Sequence, residues 1–405
     1  MRLKNLKIRN VGPFKNDEMD FISNETELKN PPVIIITGEN GTGKSIILDA
    51  IRTLFMGPFM NVEREIISSK DFLIELNIVA DEKNVNFKTS QQSEQDGFTT
   101  NNNEINKLFH AQFEPKFKRD FIFDYWTSKL SSDKFTISSI AALETNGYLD
   151  NSLSGVHKNM EVTKIISFFD YLKDSKNESE KKLGESLYAI LEEIINISIT
   201  NGKLSHVSRI TLKPIIKVQN REISLDKLSS GNLYLIQRLS SLLRQVYSIC
   251  VLNGISIAEY KKIKGVLLID EAENHLHPKW QKVFLKNILK LFPKLQIIAS
   301  THSPFIISSI ENSKVFVCKS QTDYSVVVEE TDLYTNKPVE EILMSPLFNT
   351  SNFNIEISDL LRLRKEALQQ DNKDEISRIE KALLEINPEY FNYLKIEDTI
   401  KSIKK

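Results

Sequence analysis

The chain has 405 residues, more than one hydrophobic core usually organises, so a large domain with an elaborated insert, or two lobes, is expected and a single short peptide module is excluded. Apolar residues make up 40% and charged ones 26%, as in ordinary folded chains, and 53 Lys+Arg against 54 Asp+Glu exclude an overall basic field but leave a local basic face open. The two cysteines, Cys250 and Cys318, lie in apolar stretches and read as buried thiols. No stretch approaches the roughly 20 apolar residues of a membrane span, so no membrane contact and a cytoplasmic location are expected.

Leu3, Leu6 and Ile8 alternate imperfectly, and a turn at Val11-Gly12-Pro13-Phe14 separates them from Met19 to Ile22, which predicts an antiparallel pair. Val33 to Ile36 is a short β-branched run, the pattern of a strand buried on both faces, and it feeds a glycine-rich segment. Ile46 to Phe55 follows with helical spacing, giving strand, loop, helix. Short alternating runs from Phe72 to Phe87 predict further strands, and the polar stretch Thr89 to Asn103 reads as a surface loop. Residues 105–204 read as a mostly helical insert, with amphipathic stretches at Thr163 to Asp174 and Ser179 to Ile197 but no sustained heptads.

Strand signals resume at Val207 to Leu212 and Ile215 to Val218, and Ser230 to Cys250 reads as an amphipathic helix. Val266 to Ile269 and Gln296 to Ala299 are two more buried strands, and Val315 to Cys318 with Ser325 to Val328 close the core. After Asp332 the chain becomes a charged helical tail that includes Ser358 to Gln369 and Asp374 to Ile386. The expected division is therefore 1–104 and 205–331 for the two parts of an α/β core, 105–204 for the insert and 332–405 for the tail.

Four segments carry chemistry. Gly38-Glu39-Asn40-Gly41-Thr42-Gly43-Lys44-Ser45, running into Ile46, matches the phosphate-loop pattern, in which backbone N–H groups wrap a triphosphate and the helix N-terminus adds its dipole. Lys44 is suited to the β- and γ-phosphates and Ser45 to Mg²⁺. Val266 to Ile269 ends in Asp270 and Glu271, where an open α/β sheet presents its ligand-binding groups. Asp270 is suited to the magnesium shell and Glu271 to the attacking water. Taken alone, two acids after a strand are usually a solvated turn, and it is the phosphate loop that changes their weight. Gln296 to Ala299 ends in Ser300-Thr301-His302-Ser303-Pro304, with His302 placed to contact the γ-phosphate or the water. Leu228-Ser229-Ser230-Gly231-Asn232 opens a helix and, on local grounds alone, reads as an ordinary N-cap.

Together these segments resemble the ABC-type ATPases, within the branch that contains RecF, the chromosome-maintenance proteins and the OLD-like ATPases. The matches are Walker A at GENGTGKS, signature at LSSGN, Walker B at LLIDE and switch histidine at STHSP. The run from Asp270 to Gln281, with Phe292-Pro293 and Thr301 to Pro304, is similar to bacterial proteins described as predicted ATP-binding proteins involved in virulence, and to heads of Septu-like and PARIS-like anti-phage ATPases. The resemblance implies an α/β P-loop NTPase of ABC-type head form, with an antiparallel β subdomain, a helical insert and a helical C-terminal tail. It implies ATP and Mg²⁺ as cofactors, ATP hydrolysis by Glu271, His302 and Lys44, and a homodimer or higher oligomer on ATP binding. Ser229, Ser230, Gly231 and Asn232 of each protomer would then complete the partner's site.

Two departures stand out: Ser230 replaces the family's glycine at the third signature position, and Asn232 ends the motif. The glutamine-bearing loop of relatives is not recognisable, with Gln91, Gln92 and Gln112 as candidates, and the turn near Asn10 and Phe14 lies where relatives contact the adenine base. His275 and His277 invite a metal reading, against which stands a loop, Asn274 to His277, that passes signals across a dimer. The expected role is the sensor or scaffold of an anti-phage defence system acting with a separate nuclease or toxin. The alternatives are a RecF-like repair ATPase that binds DNA or RNA and an OLD-type nuclease, for which residues 332–405 are too short and too helical.

Overall fold

The computed structural model describes residues 1–57, 66–67, 69, 71–80, 83–91, 98–111, 116–348 and 353–394. The chain divides into two compact units, Met1–Val339 and Glu340–Lys405.

The first unit is built on an 11-stranded mixed sheet. Its strands in chain order are β1 (Arg2–Val11), β2 (Phe14–Asp20), β3 (Val33–Gly38), β4 (Leu73–Ala80), β5 (Lys83–Gln91), β6 (Phe98–Thr100), β7 (Ile122–Trp126), then β11 (Gly265–Ile269), β12 (Leu295–Ser300), β13 (Ser313–Ser320) and β14 (Ser325–Glu329). The three intervening strands, β8 (Gly202–Val207), β9 (Pro214–Val218) and β10 (Arg221–Ser224), form a separate antiparallel sheet. Across the large sheet the order is β6-β5-β4-β1-β2-β14-β13-β3-β12-β11-β7. The run from β13 to β7 is parallel, whereas β2, β1, β4, β5 and β6 pair antiparallel. Parallel strands are covered on both faces, and β3, β11 and β12 are accordingly buried at every residue.

The helix Lys44–Met56 packs its apolar side, including Ile47, Leu48, Ile51, Leu54 and Phe55, into the same core as β1, β3 and β4. The helices Asn159–Lys173, Glu178–Ser198 and Ser230–Asn253 make a helical lobe, and Phe168 and Phe169 of the first meet Tyr247 of the last. Pro278–Leu291 joins β11 to β12 as the crossover helix.

Three expectations need correction. The stretch read as a mostly helical insert contributes β7 to the core sheet, because Ile122, Phe123, Tyr125 and Trp126 are all buried and pair with β11. An apolar run of this length does not reveal strand or helix by periodicity, and Asp124 in its middle hid it. The polar stretch from Thr89 is partly strand, since β5 continues to Gln91 and β6 returns from Phe98; residues 92–97 between them lie outside the described residues. The strand expected at Val207 to Leu212 instead ends at Val207, and the chain turns through Leu212 at φ 53°.

The second unit is helical where described. Ile355–Gln369 and Lys373–Ile386 pair around Ile357, Ile379, Leu383, Phe391 and Leu394, with Arg364 bonded to Glu380 at 2.6 Å.

Candidate active site

The phosphate loop leaves β3 at Gly38, whose φ of 142° and position suit glycine alone: a Cβ there would meet the Cys318 carbonyl oxygen on β13 at 2.3 Å. Gly43, at φ 97°, lies against Pro13 and the Phe14 ring, each 2.7 Å from where its Cβ would sit. Phe14 is therefore a buried support beneath the loop, and the neighbouring Asn10 bonds the Asp71 carbonyl at 2.7 Å. Lys44 opens the following helix and its Nζ donates to the carbonyls of Gly38 at 3.1 Å and Glu39 at 2.7 Å. Burial pushes the Lys44 ammonium below its ordinary pKa, while Cys318, Glu273, Asp270 and Glu271 pull it back.

Walker B and the switch segment meet because β11 and β12 are parallel neighbours that end side by side. Asp270 Oδ1 accepts from Ser45 Oγ at 2.8 Å and from Ser300 Oγ at 2.5 Å. The Ser300 hydroxyl also accepts the Glu271 N–H at 2.8 Å. Glu271 has a left-handed φ of 51°, a conformation that costs a non-glycine residue about 1 kcal/mol and persists because those bonds fix it. Its carboxylate accepts from Asn274 Nδ2 at 2.5 Å. A third acid, Glu273, holds the switch: Oε2 accepts from Thr301 Oγ1 at 2.6 Å and Oε1 from the His302 N–H at 2.8 Å. Ser303 then donates to Gln281 Oε1 at 2.5 Å. The His302 imidazole is half-buried, and desolvation, then Lys44, keep its pKa below the ordinary histidine value.

Sequence reasoning placed Lys44, Ser45, Asp270, Glu271 and His302 on separate segments, and the fold brings these segments to one end of the sheet. It missed Ser300, Glu273 and Gln281 as organisers. The available signal for Ser300 was a hydroxyl closing an otherwise apolar strand.

The signature stands apart from these bonds. Ser229 caps Ser230–Asn253 through the Asn232 N–H at 3.4 Å, and Ser229 and Ser230 are exposed. Gly231 touches the other end of the network, since a Cβ on it would lie 2.5 Å from the His275 carbonyl. His275 Nε2 is 2.8 Å from the Ser128 carbonyl, and His277 Nδ1 accepts from the Lys279 N–H at 3.2 Å as the cap of its helix. Thr127, Ser128 and Lys129, which follow β7, line a cavity together with Asp270, and the Asp270 N–H donates to the Trp126 carbonyl at 2.8 Å. Gln92 and Gln112 lie outside the described residues, as does the Gln91 side chain.

The family described as "AAA domain, putative AbiEii toxin, Type IV TA system" matches residues 33–308, from the strand that feeds the phosphate loop to just beyond the switch histidine. The chain belongs to this family. Among curated relatives it is 27% identical to a Septu protein PtuA of Bacillus thuringiensis over 81% of this chain and 78% of that protein. A second Septu protein PtuA, of Bacillus mycoides, is 24% identical over 94% of this chain, which spans half of that protein's length. The "Retron Vc95 probable ATPase" of Vibrio cholerae is 25% identical over 80% of this chain and 74% of its own. Among solved structures, an Smc head bound to the C-winged helix domain of ScpA is similar in fold, with a TM-score of 0.51 at 16% identity over 81% of this chain and 97% of that one. The chain thus carries a P-loop ATPase domain in a fold like that of an Smc head, with homologues among the Septu proteins PtuA and a retron ATPase. No helix of the described residues is long and apolar enough to cross a membrane.

Proposed function

We propose that the chain binds Mg-ATP in the loop Gly38 to Ile46 and hydrolyses it as a homodimer or higher oligomer that controls a separate effector in anti-phage defence. The observation that carries the site is the junction of Ser45, Asp270 and Ser300, hydroxyl and carboxylate oxygens within 2.8 Å of one another's partners. Such hard oxygen donors fit Mg²⁺, which would be held by Ser45 and Asp270. Magnesium there supplies charge neutralisation at the phosphates. Lys44, now bonded to two loop carbonyls, supplies the side-chain cation for the phosphates. Glu271 orients the attacking water or accepts its proton, and His302 contacts the γ-phosphate or that water. Ser229, Ser230, Gly231 and Asn232, with exposed serines and a helix N-terminus, complete the partner protomer's nucleotide site.

The defence role rests on similarity to the two Septu proteins PtuA and to the retron ATPase. The effector is a nuclease or toxin encoded beside this chain. Glu271→Gln keeps the shape and loses the base, so it should bind ATP, turn it over at most about one hundredth as fast, and accumulate as a dimer in light scattering with Mg-ATP. An unchanged monomer at saturating ATP would count against composite sites. Co-expression with the neighbouring gene product should give a complex that changes on ATP addition; phage protection by this chain alone would remove the separate effector.

A further inference from the structure

Outside the ATP site, the helical lobe holds a cavity of about 970 Å³ between the β7 residue Asp124, the coil that contains Ser138 and Ser139, and the helix Ser230–Asn253. Arg244 lines it while only 2% exposed. Its Nη1 donates to Ser248 Oγ at 3.0 Å, its Nη2 to the Glu144 carbonyl, its Nε has no acceptor, and no carboxylate pairs with it among the described residues. The guanidinium lies over the Tyr148 ring, 4.7 Å from its centroid. Burial of a cation with no paired counter-ion is unfavourable, and an anionic ligand would offset it.

The acids that line the same cavity make no ion pair with Arg244, although Glu161 and Glu144 act on it at longer range. Asp124 accepts from the Tyr125 N–H, Trp126 Nε1 and Ser241 Oγ and lies 3.4 Å from His157 Nε2. Glu161 pairs with Lys164 at 2.7 Å, and Glu144 is exposed. His157, its side chain buried beside Asp124, also lines the cavity. Such a volume is at the upper end of the range of small-ligand sites, of roughly 300–1,000 Å³, and admits a base, a sugar and a phosphate together.

We propose that this cavity is a second ligand site, distinct from the phosphate loop, that takes a mononucleotide, with its phosphate toward Arg244 and its base against Tyr148. A guanidinium recognises phosphate oxygens through its planar fork of donors, and a tyrosine face stacks on a nucleobase. Ser154, Val156 and His157 also line a second cavity, of about 490 Å³, that reaches Asp270, so the ligand sits one side chain away from space bordering the Walker B carboxylate.

The test is titration calorimetry of AMP into the full-length chain carrying Lys44→Ala, which silences the phosphate loop. One AMP per chain is expected to bind, with affinity reduced at least about tenfold by Arg244→Met. Because removing a buried residue can unfold the lobe, Ser139→Trp, on the exposed coil at the cavity, provides an independent block and should weaken AMP to the same degree. Absence of AMP binding at millimolar concentration would overturn the proposal. So would AMP binding that neither second substitution changes, which would place the nucleotide in the phosphate loop, or inorganic phosphate binding as tightly as AMP.

Discussion

The two polar regions of the first unit differ in the charge they hold: three carboxylates in one, two guanidiniums beside a single aspartate in the other. At the carboxyl end of the sheet, Asp270, Glu271 and Glu273 are held by neutral donors: hydroxyls, an amide and backbone N–H groups. In the helical lobe Arg238 and Arg244, both almost fully buried, are held by carbonyls and hydroxyls, Arg238 through Thr127 and Lys129. Neutral partners fix the geometry of a charge without cancelling it, so the first region keeps negative charge for cations, while in the second Arg238 and Arg244 keep their charge alongside Asp124, which neutral donors likewise hold. A burial pattern alone therefore does not separate a structural charge from a functional one; what matters is whether its bonds end on an opposite charge.

The largest expected break in this comparison is Lys44→Ala, which removes the side-chain cation facing the three carboxylates. Phosphate release should fall by about a thousandfold or more, and turnover like that of the wild type would take Lys44 out of the site. Glu273→Gln keeps the volume and one acceptor but loses the charge that fixes both Thr301 and the His302 N–H. Turnover should drop about a hundredfold at saturating ATP with nucleotide affinity little changed, a split between kcat and KM that mere unfolding would not produce.

A smaller effect tests how the two regions touch. Gly231→Ala puts a Cβ against the His275 carbonyl, where 2.5 Å is available, and should destabilise the first unit by about 1–3 kcal/mol. A melting temperature within a degree of the wild type would mean that the signature end of the helix yields freely. The smallest effect concerns pH. His302 and His157 both have pKa values lowered in the fold, the first by burial and then Lys44, the second by burial and then Arg238. Between these lowered values and the ordinary one of about 6.5 the unfolded chain binds more protons, so stability is full above that range and declines as pH falls through it. Thermal melts from pH 7.5 to 5.5 should show the decline, and His302→Gln should shrink it; an equal decline in that variant would remove His302 from the linkage.

The ATPase core was legible because its signals are local. A β-branched run followed by glycines at fixed spacing can hardly do anything but turn tightly into a helix, and Gly38 and Gly43 do occupy conformations that favour glycine. The strands ending in Asp270 and Ser300 were legible as apolar runs closed by polar residues, and the paired helices of Ile355–Gln369 and Lys373–Ile386 as amphipathic repeats. Only the tertiary structure decided which strand lies beside which, and with it everything that depends on neighbours distant in sequence. β7 joins the sheet through pairing with β11, Ser300 bridges Asp270 and Glu271, and Glu273 reaches across to His302. The Arg244 cavity belongs to the same class, since its walls come from segments about a hundred residues apart. Periodicity and motif spacing record what a residue does to its own backbone, whereas hydrogen-bond partners and buried charge are set by packing between segments, which a single sequence does not encode locally.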